Sequence, residues 1–254
     1  MILNLVHLGR IDYAAGLALQ KQMVEARLAG AIGNTLLLLE HPPVLTLGRN
    51  SDRANVLASD EFLAYRGVEI HEINRGGDVT YHGPGQLVGY PILDLRSFTV
   101  GDSGKRLGAV DYVRLLEEVL IRACADFGVR AQRIAGRTGV WTLAGGAASV
   151  NTRLEKKIAA IGVHISRGIT SHGFAFNVTT DLRDFELIVP CGIADRSVTS
   201  LELEADADVQ PAATMENVAN SISRHFGRVF EHQVLWVESL EDLLGERVSE
   251  STPQ

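Results

Sequence analysis

Apolar residues recur along this chain at two different periods. Tyr13, Leu17, Val24 and Leu28 fall near one stripe at helical spacing, Asp12 stands before them as an N-cap, and Gly30 and Gly33 follow; this predicts a helix over 12–29. Tyr112, Leu116, Val119, Leu120, Ala123 and Phe127 form a stronger stripe and predict a second helix over 110–127. Met215, Val218, Ile222 and Phe226 predict a third, starting near Thr214. The runs between them read as strands. TLLLLE (35–40) is short and apolar, closed by His41-Pro42-Pro43, and VLTLG follows from Val44. QLVGYPILDL is apolar on both parities, as in a strand covered on both faces, although Pro91 argues against a central position because it has no N–H to donate. GVWTLA, KIAAIGVHI, GFAFNVT, ELIVP, VTSLELE and VFEHQVLWV predict further short strands.

Residues 96–108 read as a mobile loop, and 245–254 as a polar, frayed tail. One domain over 1–244 is therefore expected. Strands and helices mix without strict alternation, so the predicted fold class is α+β (mixed α/β), a mixed sheet with helices on its faces.

Composition narrows the chemistry. Of 254 residues, 46% are apolar and 22% charged, enough for a core that needs no disulfides. The net charge of −7 argues against non-specific nucleic-acid binding, while leaving room for a local basic patch. The N-terminal stretch lacks the basic start and long apolar core of a signal peptide, and no run approaches the roughly 20 apolar residues of a membrane span. Two cysteines give neither a disulfide framework nor a four-thiolate zinc site and fit a reducing cytoplasm.

Those cysteines differ in context. Cys124 lies inside the second predicted helix, beside its apolar stripe, and reads as packing. Cys191 lies in IVPCGI, between a restrained Pro190 and a free Gly192. A packed thiol and an accessible nucleophile with backbone N–H groups nearby both fit that context. Lys157 starts the run KIAAIGVHI and shares strand parity with Ala159, Ile161, Val163 and Ile165. A desolvated amine there would serve as a base or stabilise a thiolate; a solvated lysine like Lys156 is the bland alternative. His82 and His172 each adjoin glycine, which leaves room for a ligand. No histidine pair has zinc spacing, so no metal is expected. Gly76-Gly77, after Arg75, lacks the strand–GxGxxG–helix setting of a nucleotide loop and reads instead as a place of close backbone approach.

RGGDVTYHGPGQLVGYPILDL (75–95) resembles the signature block of the lipoyl(octanoyl) transferases, the octanoyl-acyl-carrier-protein:protein N-octanoyltransferases of lipoate biosynthesis. HPPVLTLGR (41–49), GRTGVW (136–141), KIAAIGVHISRGITSHGFAFNV (157–178) and IVPCGI (188–193) resemble the family's other blocks, in its order; LAGGAASVNTRLE (143–155) and the stretch after about 205 depart from it. The resemblance implies the fold shared by biotin and lipoate ligases, a catalytic Cys191 and an activating Lys157. It also implies substrate-binding segments at Arg75, Gly76, Gly77, Asp78, Val79, Thr80, Tyr81 and His82, at Ala160, Ile161 and Gly162, and at His172, Gly173, Phe174 and Ala175.

The implied reaction moves an octanoyl group from octanoyl-acyl carrier protein, through a Cys191 thioester, to a lysine of lipoyl domains. The implied acceptors are the lipoyl domains of 2-oxoacid dehydrogenase complexes and the glycine cleavage H protein. The enzyme is expected to be a cytoplasmic monomer that uses no cofactor and no ATP. Leu, Ile and Phe side chains are expected to enclose the acyl tail. Arg49, Arg53, Arg75 and Arg137 are candidates to attract the acidic carrier. The rivals are an ATP-dependent lipoate or biotin ligase of the same fold and a non-catalytic acyl-carrier-binding protein.

Overall fold

The computed structural model describes residues 1–100, 104–143, 155–189, 197–206 and 210–244. Its strands are β1 (Ile2–Arg10), β2 (Asn34–Glu40), β3 (Val44–Leu47), β4 (Glu69–Glu72), β5 (Val79–His82), β6 (Gln86–Ile92), β7 (Thr99–Val100), β8 (Lys105–Arg106), β9 (Ala131–Ile134), β10 (Arg137–Leu143), β11 (Glu155–Ser166), β12 (Ile169–Asn177) and β13 (Gln233–Trp236). Its helices are α1 (Tyr13–Leu28), α2 (Asp60–Tyr65), α3 (Ala109–Asp126), α4 (Leu201–Glu204), α5 (Met215–Val229) and α6 (Leu240–Leu244). Eight strands form one sheet in the order β13-β1-β2-β6-β12-β11-β10-β9. β1 runs parallel to β2 and β13, and the other neighbours are antiparallel. A smaller sheet has the order β4-β3-β5.

The leucine run of β2 explains the layering. Successive side chains of a strand point to opposite faces. Leu36 and Leu38 join the core under α3 and α5, while Leu37 and Leu39 join the core under α1. Both sets are fully buried, so β2 needs apolar residues on both parities. A third cluster, with Leu45, Leu63, Tyr81 and Phe185, lies beneath the small sheet. The mixed sheet with helices on its faces agrees with the sequence reading.

The three predicted helices are present, and the stripes of α3 and α5 pack as expected. The stripe of α1 is different. Its buried residues are Tyr13, Gly16, Gln20 and Met23, while Leu17 and Val24 are only partly covered. A small and a polar residue face inward because His41 packs on Gly16, and Gln20 Oε1 accepts the backbone N–H of His172 at 2.7 Å.

Pro91 sits near the middle of the large sheet, contrary to expectation. The β6–β12 register ends at Gly89. Leu93, of the same parity as Pro91, directs its N–H to Thr170 Oγ1 on the β12 side. The donor that Pro91 lacks would therefore point into a gap in the ladder, between the Phe174↔Gly89 pair and the Asp94↔Ile169 bridge.

Two further expectations fail. Of ELIVP (186–190), Glu186 and Leu187 end a 3₁₀ turn over Leu182–Leu187, started by Asp181 accepting the N–H of Arg183, and Ile188 makes a single bridge to Val56. In VTSLELE only Val198 makes a bridge, to Lys157, before the chain turns into α4. Within 96–108, Thr99 pairs with Arg106 in a β7–β8 ladder, so the described part of that stretch is not an open loop. Among the described residues no helix is long and apolar enough to cross a membrane. The tail, 245–254, lies outside the described residues.

Candidate active site

A cavity of about 430 Å³ opens on the α1 face of the large sheet, across β6, β12, β11 and β10. β5 and the turn before it form its other side. Of the binding residues named from the sequence, 75–80, His82, 160–162 and 172–175 line it. Tyr81 does not: its ring packs on Phe185 in the small-sheet core and its hydroxyl donates to Asp184 Oδ2 at 2.6 Å. Strand alternation turns Tyr81 away while Thr80 and His82 face the cavity.

The glycines work through close approach. Gly76 N–H donates to Val163 O at 3.0 Å, which lays the 75–77 turn across β11. A Cβ on Gly162 would come within 2.7 Å of Gly76 O. Arg75 is buried and donates to Thr46 O and Oγ1 at 2.7 and 2.9 Å.

Lys157 lines the cavity, but not by the parity read from the sequence. The β10–β11 register steps from Val140↔Ala159 to Trp141↔Lys157, so two β11 positions match one on β10. This bulge changes the face on which the strand's residues lie. Ile161, Val163 and Ile165 pack toward the α3 and α5 core, Ile161 also reaching the cavity, whereas Ala160 and Gly162 line the cavity with Lys157. The Lys157 amine stands 4.7 Å from the centroid of the Trp141 ring, a cation–π distance.

Cys191 lies outside the described residues, as do its neighbours Pro190 and Gly192, and most of 143–155. The described flanks of Cys191 both attach to the cavity rim. Two positions before it, Val189 N–H donates to Asn55 O at 2.7 Å, and Asn55 Nδ2 donates to the cavity-lining Asp78 at 2.7 Å. Six positions after it, Ser197 O accepts the N–H of Lys157 at 3.1 Å.

The far wall is a polar aromatic layer that the motifs missed. Tyr13, Val88 and Tyr90 line the cavity with His82 and His172. His41 Nδ1 donates to Ile11 O at 2.8 Å, so its Nε2 accepts from the Tyr90 hydroxyl at 2.7 Å. Gln86 spends its amide N–H groups on Tyr81 O and Asn177, which makes its Oε1 the acceptor for His82 Nδ1 at 2.7 Å. Burial lowers the pKa of His41 and His172 to about 4 and of His82 to about 3, with His41 a secondary cause for His82. All three are neutral at pH 7, and His82 forms part of the cavity wall. Burial raises the phenols of Tyr13 and Tyr90.

Among the described lining residues, Ile161, Phe174 and Val88 supply apolar surface, with Ala160 and Ala175 leaving space, and leucine supplies none. The expected enclosure by Leu is thus replaced by small residues and ring faces. Of the proposed carrier-attracting arginines, Arg75 is buried, Arg53 pairs with Asp60, Arg137 lies over Trp141 and Arg49 is exposed. Cys124 is fully buried in the core, and burial raises its thiol pKa.

The family model described as lipoyl protein ligase A/B catalytic domain matches residues 12–227. An octanoyltransferase of Acidobacterium capsulatum is 76% identical over 246 residues, covering 97% of each chain. One of Koribacter versatilis is 53% identical, covering 96% of this chain and 90% of that protein. Among solved structures, a bi-partite lipoate protein ligase of Thermoplasma acidophilum superposes with TM-score 0.67 at 17% identity, covering 97% of this chain and 91% of the other. A lipoate-protein ligase A bound with ATP gives 0.64 at 18%, covering 97% and 93%. The chain is a member of the lipoyl protein ligase A/B catalytic domain family.

Proposed function

We propose that the protein is an octanoyltransferase that carries an octanoyl group from octanoyl-acyl carrier protein to the lysine of lipoyl domains through a Cys191 thioester. The observation that carries this reading is the tethering of both described flanks of Cys191 to the rim of a cavity that contains Lys157. The name octanoyltransferase, borne by relatives 76% and 53% identical, supports it.

In the first half-reaction Lys157 takes the thiol proton of Cys191 and the thiolate attacks the carrier thioester. The C–S bond to the carrier breaks, and Lys157 returns the proton to the leaving thiol. In the second, the acceptor amine attacks the Cys191 thioester, Lys157 takes its proton, the C–S bond to Cys191 breaks and the amide forms. A thioester is already activated toward an amine, so the reaction draws on no ATP. The acyl tail lies across β12 toward β6, two strand spacings, or about 10 Å, from β11. Residues 1–244 act as one catalytic unit, and thiol chemistry places it in a reducing cytoplasm.

The test is intact-protein mass after mixing with octanoyl-acyl carrier protein, without ATP. An octanoyl adduct that is lost from Cys191→Ser and discharged by a lipoyl domain is the expected result. Transfer that requires ATP and survives Cys191→Ser would establish a ligase instead. Binding without an adduct would establish a carrier-binding protein.

A further inference from the structure

The second half-reaction brings a lysine to a site already crowded with positive charge. Arg75 and Arg137 line the cavity, and Lys157 stands there as the base. An ordinary lysine, with pKa about 10.4, arrives as an ammonium. We propose that Asp78 receives that ammonium and holds the acceptor lysine beside the thioester; this rests on the function proposed above.

Three observations carry the assignment. Asp78 is the only carboxylate among the described residues that line the cavity. Its oxygens are oriented: Oδ1 accepts Val79 N–H and Oδ2 accepts Asn55 Nδ2, both at 2.7 Å. A carboxylate has about four acceptor positions, so these bonds fix the group without filling it. Among the described residues no lysine, arginine or histidine pairs with it, unlike Asp94, Asp184 and Glu204, which all have cationic partners. Finally, Asn55 accepts Val189 N–H, so one chain of hydrogen bonds joins Asp78 to the segment that carries Cys191. The neutral His82 and His172 cannot act as counter-ions.

The balance is simple. The ammonium docks on Asp78 and gives one proton to Lys157, which passes it to water. The free amine attacks the acyl carbon; the C–N bond forms, the C–S bond breaks, and the second proton ends on the Cys191 sulfur. Asp78 binds and aligns the incoming lysine in the second half-reaction.

Asp78→Asn separates the halves. With the octanoyl adduct isolated, the apparent KM of the lipoyl domain for discharge is expected to rise about tenfold, the effect of losing one hydrogen bond to a charged group. The saturated rate of discharge changes less than this KM, and discharge by the lipoyl domain slows more than adduct formation does. Hydroxylamine, neutral at pH 7, should discharge the parent and variant adducts alike. Asp78→Glu should recover part of the lipoyl-domain affinity. Equal slowing with both nucleophiles, or adduct formation slowed as much as discharge, would overturn the assignment to the acceptor. Absence of any adduct in the parent protein would overturn the thioester reading itself, and this inference with it.

Discussion

Lys157 and Trp141 face each other across the β10–β11 ladder, with the lysine amine 4.7 Å from the indole centroid. The pairing exists because the bulge beside it turns Lys157 onto the cavity face. Gly139, at φ +116°, sits on the other side of that bulge, and a Cβ there would come within 2.7 Å of Ala159 O. Gly139→Ala is therefore expected to disturb the bulge and displace Lys157, lowering transfer more than it lowers the melting temperature. Unimpaired turnover with a shifted melting point would show that the bulge serves folding alone.

If Lys157 tunes the nucleophile, alkylation of Cys191 in the parent protein should begin below the pH expected for a free thiol, whose pKa is about 8.5. In Lys157→Ala the alkylation profile should move to higher pH. Lys157→Arg keeps a charge but loses the base, so it should retain some early alkylation and transfer poorly. Superimposable profiles for parent and Ala variant would exclude the lysine from this role.

Cys124→Ala should leave acyl transfer intact, because the thiol is sealed in the core beneath α3. Its cost is stability, on the order of 1 kcal/mol for the small cavity left behind. Urea titration reads the cost, and intact mass after octanoyl loading reads the transfer.

Tyr90 sets the far wall, and His41 pins its hydroxyl. Tyr90→Phe leaves the buried His41 Nε2 without its donor and should destabilise the fold by about 1–3 kcal/mol. Tyr90→Ala should shift preference toward longer acyl groups. Each additional buried CH₂ is worth about 0.8 kcal/mol, nearly fourfold in specificity. Competition between octanoyl and decanoyl carriers measures the shift, and an unchanged ratio would move the end wall elsewhere.

The buried histidines make the fold acid-sensitive. His41 and His172 have native pKa values of about 4, and His82 about 3, all below the ordinary 6.5. The unfolded chain therefore binds protons that the native state refuses. The stability they contribute is fully present above pH 6.5 and declines as pH falls toward 4 and 3. Urea midpoints should drop between pH 7 and pH 5, and His41→Gln should reduce that drop.

Local periodicity and turn chemistry are legible in the chain alone. α3 and α5 could be read because their stripes pack on a core that demands apolar residues at helical spacing. The two-faced burial of β2 and β6 could be read because both parities are apolar. The blocks around Arg75, Ala160 and His172 could be read as one site from their resemblance alone, and the cavity does bring them together.

Tertiary structure decided the rest, for reasons that single-chain patterns do not carry. Lys157 reaches the cavity through a register step with β10, and a strand's own alternation cannot report a bulge set by its neighbour. Gln20 and Gly16 face inward because partners far along the chain, His172 and His41, need an acceptor and a space. Pro91 is tolerated because the β6–β12 ladder is interrupted beside it, where His172 takes a φ of +54°, a feature of the partner strand that Pro91's own sequence does not carry. Asp78 gains its meaning from being the lone described carboxylate among basic side chains contributed by β10, β11 and the turn before β5. Charge balance in a cavity depends on which segments meet there, and only the folded chain brings those segments together.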